Sequence, residues 1–214
     1  RYSARCKSSC GVKITYRIGK RIFDCICSLA SLLVLWPALF LIAAAIYIDD
    51  PHGCPFFMQR RVGKDGKLFT MYKFRTMIRG AEAMKPDMKD LNEMDGPVFK
   101  VKNDPRITKI GSFLRKTGLD ELPQLYNVLK GDMSFVGPRP PLPEEVACYT
   151  EYQKRRLKVL PGLTCTWQIM PQRNDIAFHD WVEMDLDYIE NRCFLLDLKI
   201  ILRTPLAMLH KGGR

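Results

Sequence analysis

Hydrophobicity along the chain is concentrated in one block. Cys25 to Ile48 reads CICSLASLLVLWPALFLIAAAIYI, 24 residues without a charge. As a straight helix it would extend about 36 Å, enough to cross a hydrocarbon layer of about 30 Å. A cleaved signal segment has an apolar core of only about 7–15 residues, so this block is too long for one. Pro37 sits at its centre, where it removes a backbone hydrogen bond and calls for a bend. Each arm then reaches about 18 Å, roughly to mid-membrane. Arg17, Lys20 and Arg21 precede the block, and Arg60, Arg61, Lys64 and Lys67 follow it. Basic residues favour the cytoplasmic side, so a spanning helix would leave one cluster outside. A re-entrant helix over residues 15–50, with its bend at Pro37, keeps both clusters on one face. The pattern favours it over a simple transmembrane anchor.

Beyond residue 50 the periods are those of a folded domain. Phe56–Val62 and Leu68–Phe74 are strand-like runs around Gly63–Lys67 and predict a β-hairpin. Residues 79–96 lack periodicity and read as a surface excursion. Asp104-Pro105 predicts a helix start, with Ile107, Ile110 and Leu114 on one face. A second helix is expected from Asp120-Glu121, with Pro123 in its first turn and Gly131 at its end. Further helices are expected over 143–159 and 178–192, with a loop at Pro161–Asn174 between them. Leu195–His210 has the pattern of an amphipathic interfacial helix that Pro205 should bend. The class is α+β, mostly helical: a basic segment 1–14, the membrane helix 15–50 and a folded domain over 51–214.

Charge sharpens the membrane reading. The 214 residues carry 34 Lys and Arg against 23 Asp and Glu, a net +11. Seven of those cations fall within residues 1–24 against Asp24 alone. Eight cysteines scattered through a chain large enough to bury its own core make a disulfide scaffold unnecessary. No paired C-x₂-C grouping marks a zinc site. There is also no G-x-x-x-x-G-K-[ST], G-x-G-x-x-G, H-E-x-x-H or G-x-S-x-G, so ATP-driven, hydride-transfer, zinc-protease and serine-hydrolase chemistry lose support.

The remaining candidates are acidic and basic residues around one segment. Asp120 and Glu121 fall at an expected helix start, where unpaired N–H groups and the helix dipole stabilise an anion or hold a phosphate. An ionised Asp can attack phosphorus and form an acyl phosphate. A hard cation such as Mg²⁺ would bring two anions together. The same two residues also fit a plain helix cap. Arg139, stiffened between Pro138 and Pro140, suits bidentate phosphate recognition or an ordinary surface turn. Arg115 could reach the same place from the preceding helix. Lys73 and Arg75 share a strand face by two-residue alternation, and either line a site or flank lipid headgroups.

These segments carry a resemblance. Lys73-Phe74-Arg75-Thr76-Met77, Leu119-Asp120-Glu121-Leu122-Pro123-Gln124-Leu125, the run Asn127 to Pro140 containing Gly137-Pro138-Arg139-Pro140, Pro161-Gly162-Leu163-Thr164 and Phe194-Leu195-Leu196-Asp197-Leu198-Lys199 resemble the bacterial sugar transferases, the monotopic phosphoglycosyl transferases. The resemblance covers about residues 15–211. It implies a re-entrant membrane hairpin and a catalytic domain facing the cytoplasm from the bacterial inner membrane. It implies transfer of a phosphosugar from a UDP-sugar to polyprenyl phosphate with release of UMP, initiating surface glycan synthesis (exopolysaccharide, capsule or O-antigen). Ping-pong chemistry through Asp120 as nucleophile and Mg²⁺ ligand follows, with Glu121 assisting in metal or proton handling. Arg115 and Arg139 match phosphate-contacting positions. Arg173, in the segment Thr164 to Asn174, matches a position for nucleotide or sugar recognition. Two departures stand out: Trp36 where the family often has Ser before the bend proline, and Cys165 where it commonly has Gly. Membrane lipid is an expected partner and nucleic acid is not, while homo-oligomerisation is left open. The competing readings are a membrane-anchored basic binding module without catalysis and a nucleotide-sugar pyrophosphatase that uses water as acceptor.

Overall fold

A computed structural model describes residues 10–84, 86, 88, 96–98, 101, 104–170 and 176–210. Helix α1 runs from Cys10 to Asp49 and contains Pro37. Within Ile14–Asp49 an 18-residue stretch has a mean hydropathy of 2.5, and only 6% of that stretch is buried. The helical hydrogen-bond pattern continues through Pro37, so the arms are one helical element rather than two helices joined by a loop. Both arms nevertheless pack on the same body. On the N-terminal arm, Tyr16 and Lys20 donate to Asp197 Oδ2 at 2.7 and 2.9 Å, and Arg21 donates to the carbonyls of Val128 and Leu129. Asp24 accepts from the backbone N–H of Phe135. On the C-terminal arm, Leu39, Ile42, Ala43 and Ile46 pack on Phe74, Ile110, Leu114 and Leu119. Between the arms Leu33, Val34, Trp36 and Phe40 are exposed.

The strands β1 (Phe56–Val62) and β2 (Leu68–Phe74) form the antiparallel hairpin in the register Phe56↔Phe74 to Val62↔Leu68. Their connection is a single 3₁₀ turn at Lys64–Gly66. Helix α2 occupies Lys109–Thr117. It begins later than Asp104-Pro105 predicts, because Ile107 is held in a β-bridge with Met77 and the cap is the Thr108 hydroxyl, which accepts from Gly111 N–H. Asp104 instead pairs with Arg106 at 2.6 Å. Gly111 lets α2 lie against strand backbone, since a Cβ there would stand 2.0 Å from the Thr76 carbonyl oxygen.

The second expected helix also starts late. Gly118, at φ 70°, closes α2 in the left-handed region that favours glycine, and Leu119–Glu121 forms one 3₁₀ turn. Helix α3 then runs Gln124–Lys130. Asp120 is thus fixed by a tight turn between helices, not by an α-helix N-terminus. Strand β3 (Ser134–Val136) pairs in parallel with β4 (Gly162–Thr164). The expected helix 143–159 is divided into α4 (Pro143–Ala147), α5 (Glu151–Lys154) and a 3₁₀ turn at Arg155–Lys158. Thr150 accounts for the break: its hydroxyl accepts from Gln153 N–H and the Gln153 side chain accepts from Thr150 N–H, a capping box that restarts the helix. Helix α6 (Phe178–Asn191) packs Trp181, Val182 and Leu186 into a core with Val98, Tyr149, Cys165 and Trp167. Helix α7 (Phe194–His210) continues through Pro205 without interruption.

Candidate active site

The polypeptide brings its chemistry together through α3 and β2. Asn127, fully buried, accepts from the Tyr72 backbone N–H at 3.1 Å and donates to the Thr70 carbonyl at 2.7 Å. One amide thus substitutes for a strand partner and docks α3 on the edge of β2. That docking sets the Leu119–Glu121 turn beside the end of β2, where Lys73 Nζ lies 2.9 Å from Glu121 Oε1.

A cleft of about 600 Å³ opens above this contact. Lys73, Arg75, Arg115, Asp120, Glu121 and Arg139 all line it. Pro37 lies away from it on an exposed stretch of α1, and Arg173 falls outside the described residues. The cations differ in how far they are committed. Arg75 is held by the end of α1, donating to Asp50 Oδ2 and to the Asp50 carbonyl, both at 2.7 Å. Its Nη1 lies 1.9 Å from where a Cβ on Gly53 would stand, so a side chain there would displace the guanidinium. Arg115 donates from Nε to the Thr76 hydroxyl at 2.9 Å. Arg139 makes no hydrogen bond or ion pair among the described residues.

The two carboxylates are electrostatically unlike. Burial pushes the Asp120 carboxyl up to about 6; Lys73 opposes that shift and the neighbouring Glu121 charge adds to it. Burial acts on Glu121 as well, but the Lys73 ammonium, the hydrogen bond from it and the Arg139 and Arg61 charges prevail and hold Glu121 below the usual range. The pair therefore contains one firmly ionised acid and one that changes charge near neutral pH.

The cleft also contains residues that sequence reasoning assigned elsewhere. Arg61, grouped above with the membrane-flanking cations, is buried; it donates to the Pro140 carbonyl at 2.9 Å and to Gln59 Oε1. Burial lowers its pKa to about 10. The available signal was alternation along β1, which puts Phe57, Gln59 and Arg61 on one face. Gln124 Nε2, Trp167 Nε1 and Trp181 Nε1 are buried N–H groups without a hydrogen-bond partner among the described residues, and their residues line the same cleft. Trp167 and Trp181 stack with centroids 4.3 Å apart and planes 5° from parallel. The lysine and arginines of the wall suit a ligand with phosphate oxygens.

Among the described residues no group of three or more His, Cys, Asp or Glu forms a ready-made metal cage. Two adjacent carboxylates still fit Mg²⁺, which is commonly held by one or two carboxylates together with substrate phosphates and water.

A family profile described as bacterial sugar transferase matches residues 15–211. The chain is 44% identical over 201 residues to the galactosyl transferase CpsE of Streptococcus agalactiae serotype III (strain NEM316), covering 94% of this chain and 44% of that protein. It is 39% identical over 209 residues to the undecaprenyl-phosphate galactose phosphotransferase of Salmonella typhimurium (strain LT2), covering 94% and 42%. Against the exopolysaccharide production protein ExoY of Rhizobium meliloti (strain 1021) it is 38% identical over 201 residues, covering 92% and 88%. The chain thus spans less than half the length of the first two relatives and most of the third. On the extent of these matches, the chain belongs to the bacterial sugar transferase family.

Proposed function

We propose that this chain transfers a sugar-1-phosphate from a UDP-sugar to a polyprenyl phosphate, releasing UMP, through a covalent phosphosugar on Asp120. The observation that carries the reading is the buried Asp120, shifted to about 6, beside a Lys73-tied Glu121 in a cleft lined by arginines. An Asp120 carboxylate oxygen attacks the sugar-bearing phosphorus. The bond from that phosphorus to the bridging oxygen breaks, and UMP leaves with the electron pair. A phosphate oxygen of the lipid then attacks the same phosphorus, breaks the acyl phosphate bond and frees Asp120 as a carboxylate.

The protein's own groups have separable tasks in this scheme. Lys73 keeps Glu121 ionised and lowers the pKa of Asp120. Arg139, uncommitted among the described residues, and Arg115 are the cations for phosphate oxygens. Arg75 serves mainly to hold the end of α1. Asp120, with Glu121, would hold Mg²⁺, which would neutralise phosphate charge.

The membrane reading rests on the two arms of α1. Asp24 and Ile46 both pack on the one globular body, and Leu33, Val34, Trp36 and Phe40 between them are exposed. A helix crossing the bilayer would place those two ends on opposite sides, so we read α1 as re-entrant and the body as cytoplasmic. Outward residues Ile14, Ile18, Ile22 and Ile26 of α1, with Leu195, Leu202 and Leu206 of α7, supply apolar surface for the headgroup region. The test is release of UMP from UDP-galactose or UDP-glucose with Mg²⁺ and undecaprenyl phosphate in nanodiscs. Lipid-dependent release that Asp120→Asn abolishes is expected. Many turnovers without lipid would show a pyrophosphatase instead.

A further inference from the structure

The Arg139 side chain has no hydrogen-bond partner among the described residues, yet the backbone that carries it is held from both sides. The Pro138 carbonyl accepts from the Gly162 N–H at 2.9 Å, and the Pro140 carbonyl accepts from Arg61 Nη1, also at 2.9 Å. Both prolines are buried and fix their own φ, and a residue that precedes proline is confined to extended backbone. Only the half-buried guanidinium of Arg139 is left to meet a ligand.

Arg61 is an unusual group to find in that support. It is 6% exposed, it lines the cleft, and its partners among the described residues are neutral: the Pro140 carbonyl and Gln59 Oε1, the latter reached by Nε at 3.0 Å and Nη2 at 2.6 Å. A buried cation without a paired carboxylate costs stability that an apolar residue of similar size would not. Closing the loop does not require it, because the Val62 N–H already ties the Pro141 carbonyl to the end of β1 at 2.9 Å. What Arg61 adds is one bond to the peptide directly after the Arg139–Pro140 pair. Gln59, on the same face of β1, locks the guanidinium fork that makes this bond.

We propose that Arg61 is the positioning residue for Arg139, fixing the Pro138–Arg139–Pro140 turn so that the Arg139 guanidinium is presented to a phosphate of the donor. The inference rests on the transferase reading above and adds the group that orients its phosphate-binding arginine. Arg61 acts through Arg139, so its contribution disappears when Arg139 has no charge to present.

A double-mutant cycle in the donor half-reaction tests this dependence. The protein in nanodiscs is given Mg²⁺ and subsaturating UDP-sugar without lipid, well above pH 6 so that both carboxylates are ionised. Adduct formation is followed by intact mass, and circular dichroism reports the folded fraction. Arg61→Met should slow adduct formation about tenfold, the factor expected for one hydrogen bond made by a charged group. Arg139→Met should slow it at least as much. The double variant should be no slower than Arg139→Met alone. Arg61→Lys keeps a donor for the Pro140 carbonyl and should recover most of the loss. Its remaining deficit should likewise vanish beside Arg139→Met, which carries the test if Arg61→Met does not fold. Losses that multiply in the double variants would overturn the positioning role, since a direct contact or a general structural one would do that. Unchanged rates in Arg61→Met or in Arg139→Met would overturn it too. Absence of any adduct in the unsubstituted protein would overturn the transferase reading itself, and the role of Arg61 with it.

Discussion

Asp120 and Glu121 are adjacent residues with opposite electrostatic fates, and the difference lies in their neighbours. Asp120 is buried and only partly compensated, so its carboxyl rises to about 6. Glu121 accepts the Lys73 ammonium at 2.9 Å and stays below the usual range. Activity through an ionised Asp120 should therefore rise with pH through about 6 and fall about tenfold per unit well below it. This limb is read from the pH profile of adduct formation at subsaturating donor. Lys73→Met removes a charge that lowers the Asp120 pKa, so the limb should move to higher pH; a limb that stays in place contradicts the assigned role. Stability runs the other way. The native Asp120 binds its proton more tightly than the unfolded one, so its contribution is most favourable below pH 3.8 and declines as pH rises towards 6. That the dyad, Arg115 and Arg139 share one cleft was legible only through the family resemblance, since each on its own also fits a helix cap, a surface turn or a solvated charge. Arg61 was not, because a run of basic residues after an apolar helix reads equally well as a lipid flank. Only the pairing of β1 with β2 turns it inward.

At the scale of elements, polar latches fix the membrane helix to the body. Asp197 accepts from Tyr16, Lys20 and Tyr188, with Tyr188 at 2.6 Å, and its side chain is 7% exposed. Asp197→Ala would strand the Lys20 ammonium and the Tyr16 hydroxyl, while Tyr188 keeps the Val136 carbonyl. A loss of about 2–4 kcal/mol is expected, or roughly 5–15 °C in the thermal midpoint of the detergent-solubilised protein. Gly111→Ala should do comparable damage by driving α2 off Thr76, and circular dichroism melting would register both. The β-hairpin, α6 and α7 were legible from periodicity and length. The start of α2 and the division of 143–159 were not, because each was decided by a side-chain cap competing with the apolar pattern. Asp104 was the stronger cap by type, yet Ile107 was already held by Met77. Pro205, expected to bend α7, is carried within a continuous helix.

At the scale of the molecule, the proposed function sets a two-phase problem, a soluble anionic donor and an acceptor that cannot leave the bilayer, to which the fold offers one solution. Both arms of α1 return to the body that holds the dyad, so the reaction can occur beside the membrane surface. A single cysteine replacing Ser3, after removal of the native cysteines, should resist impermeant maleimide applied outside intact cells; labelling would mean that α1 spans. The apolar block made a long apolar helix legible in the sequence, but not the latches that bring both arms to one body. Those join residues more than a hundred positions apart and leave no local pattern. The central claim is a covalent phosphosugar on Asp120, and intact-mass measurement after incubation with Mg²⁺ and a panel of UDP-sugars, without lipid, tests it most directly. The account predicts an adduct of one sugar phosphate that is absent in Asp120→Asn and removed by polyprenyl phosphate. Lipid-dependent UMP release with no adduct, or an adduct that persists in Asp120→Asn, would contradict it.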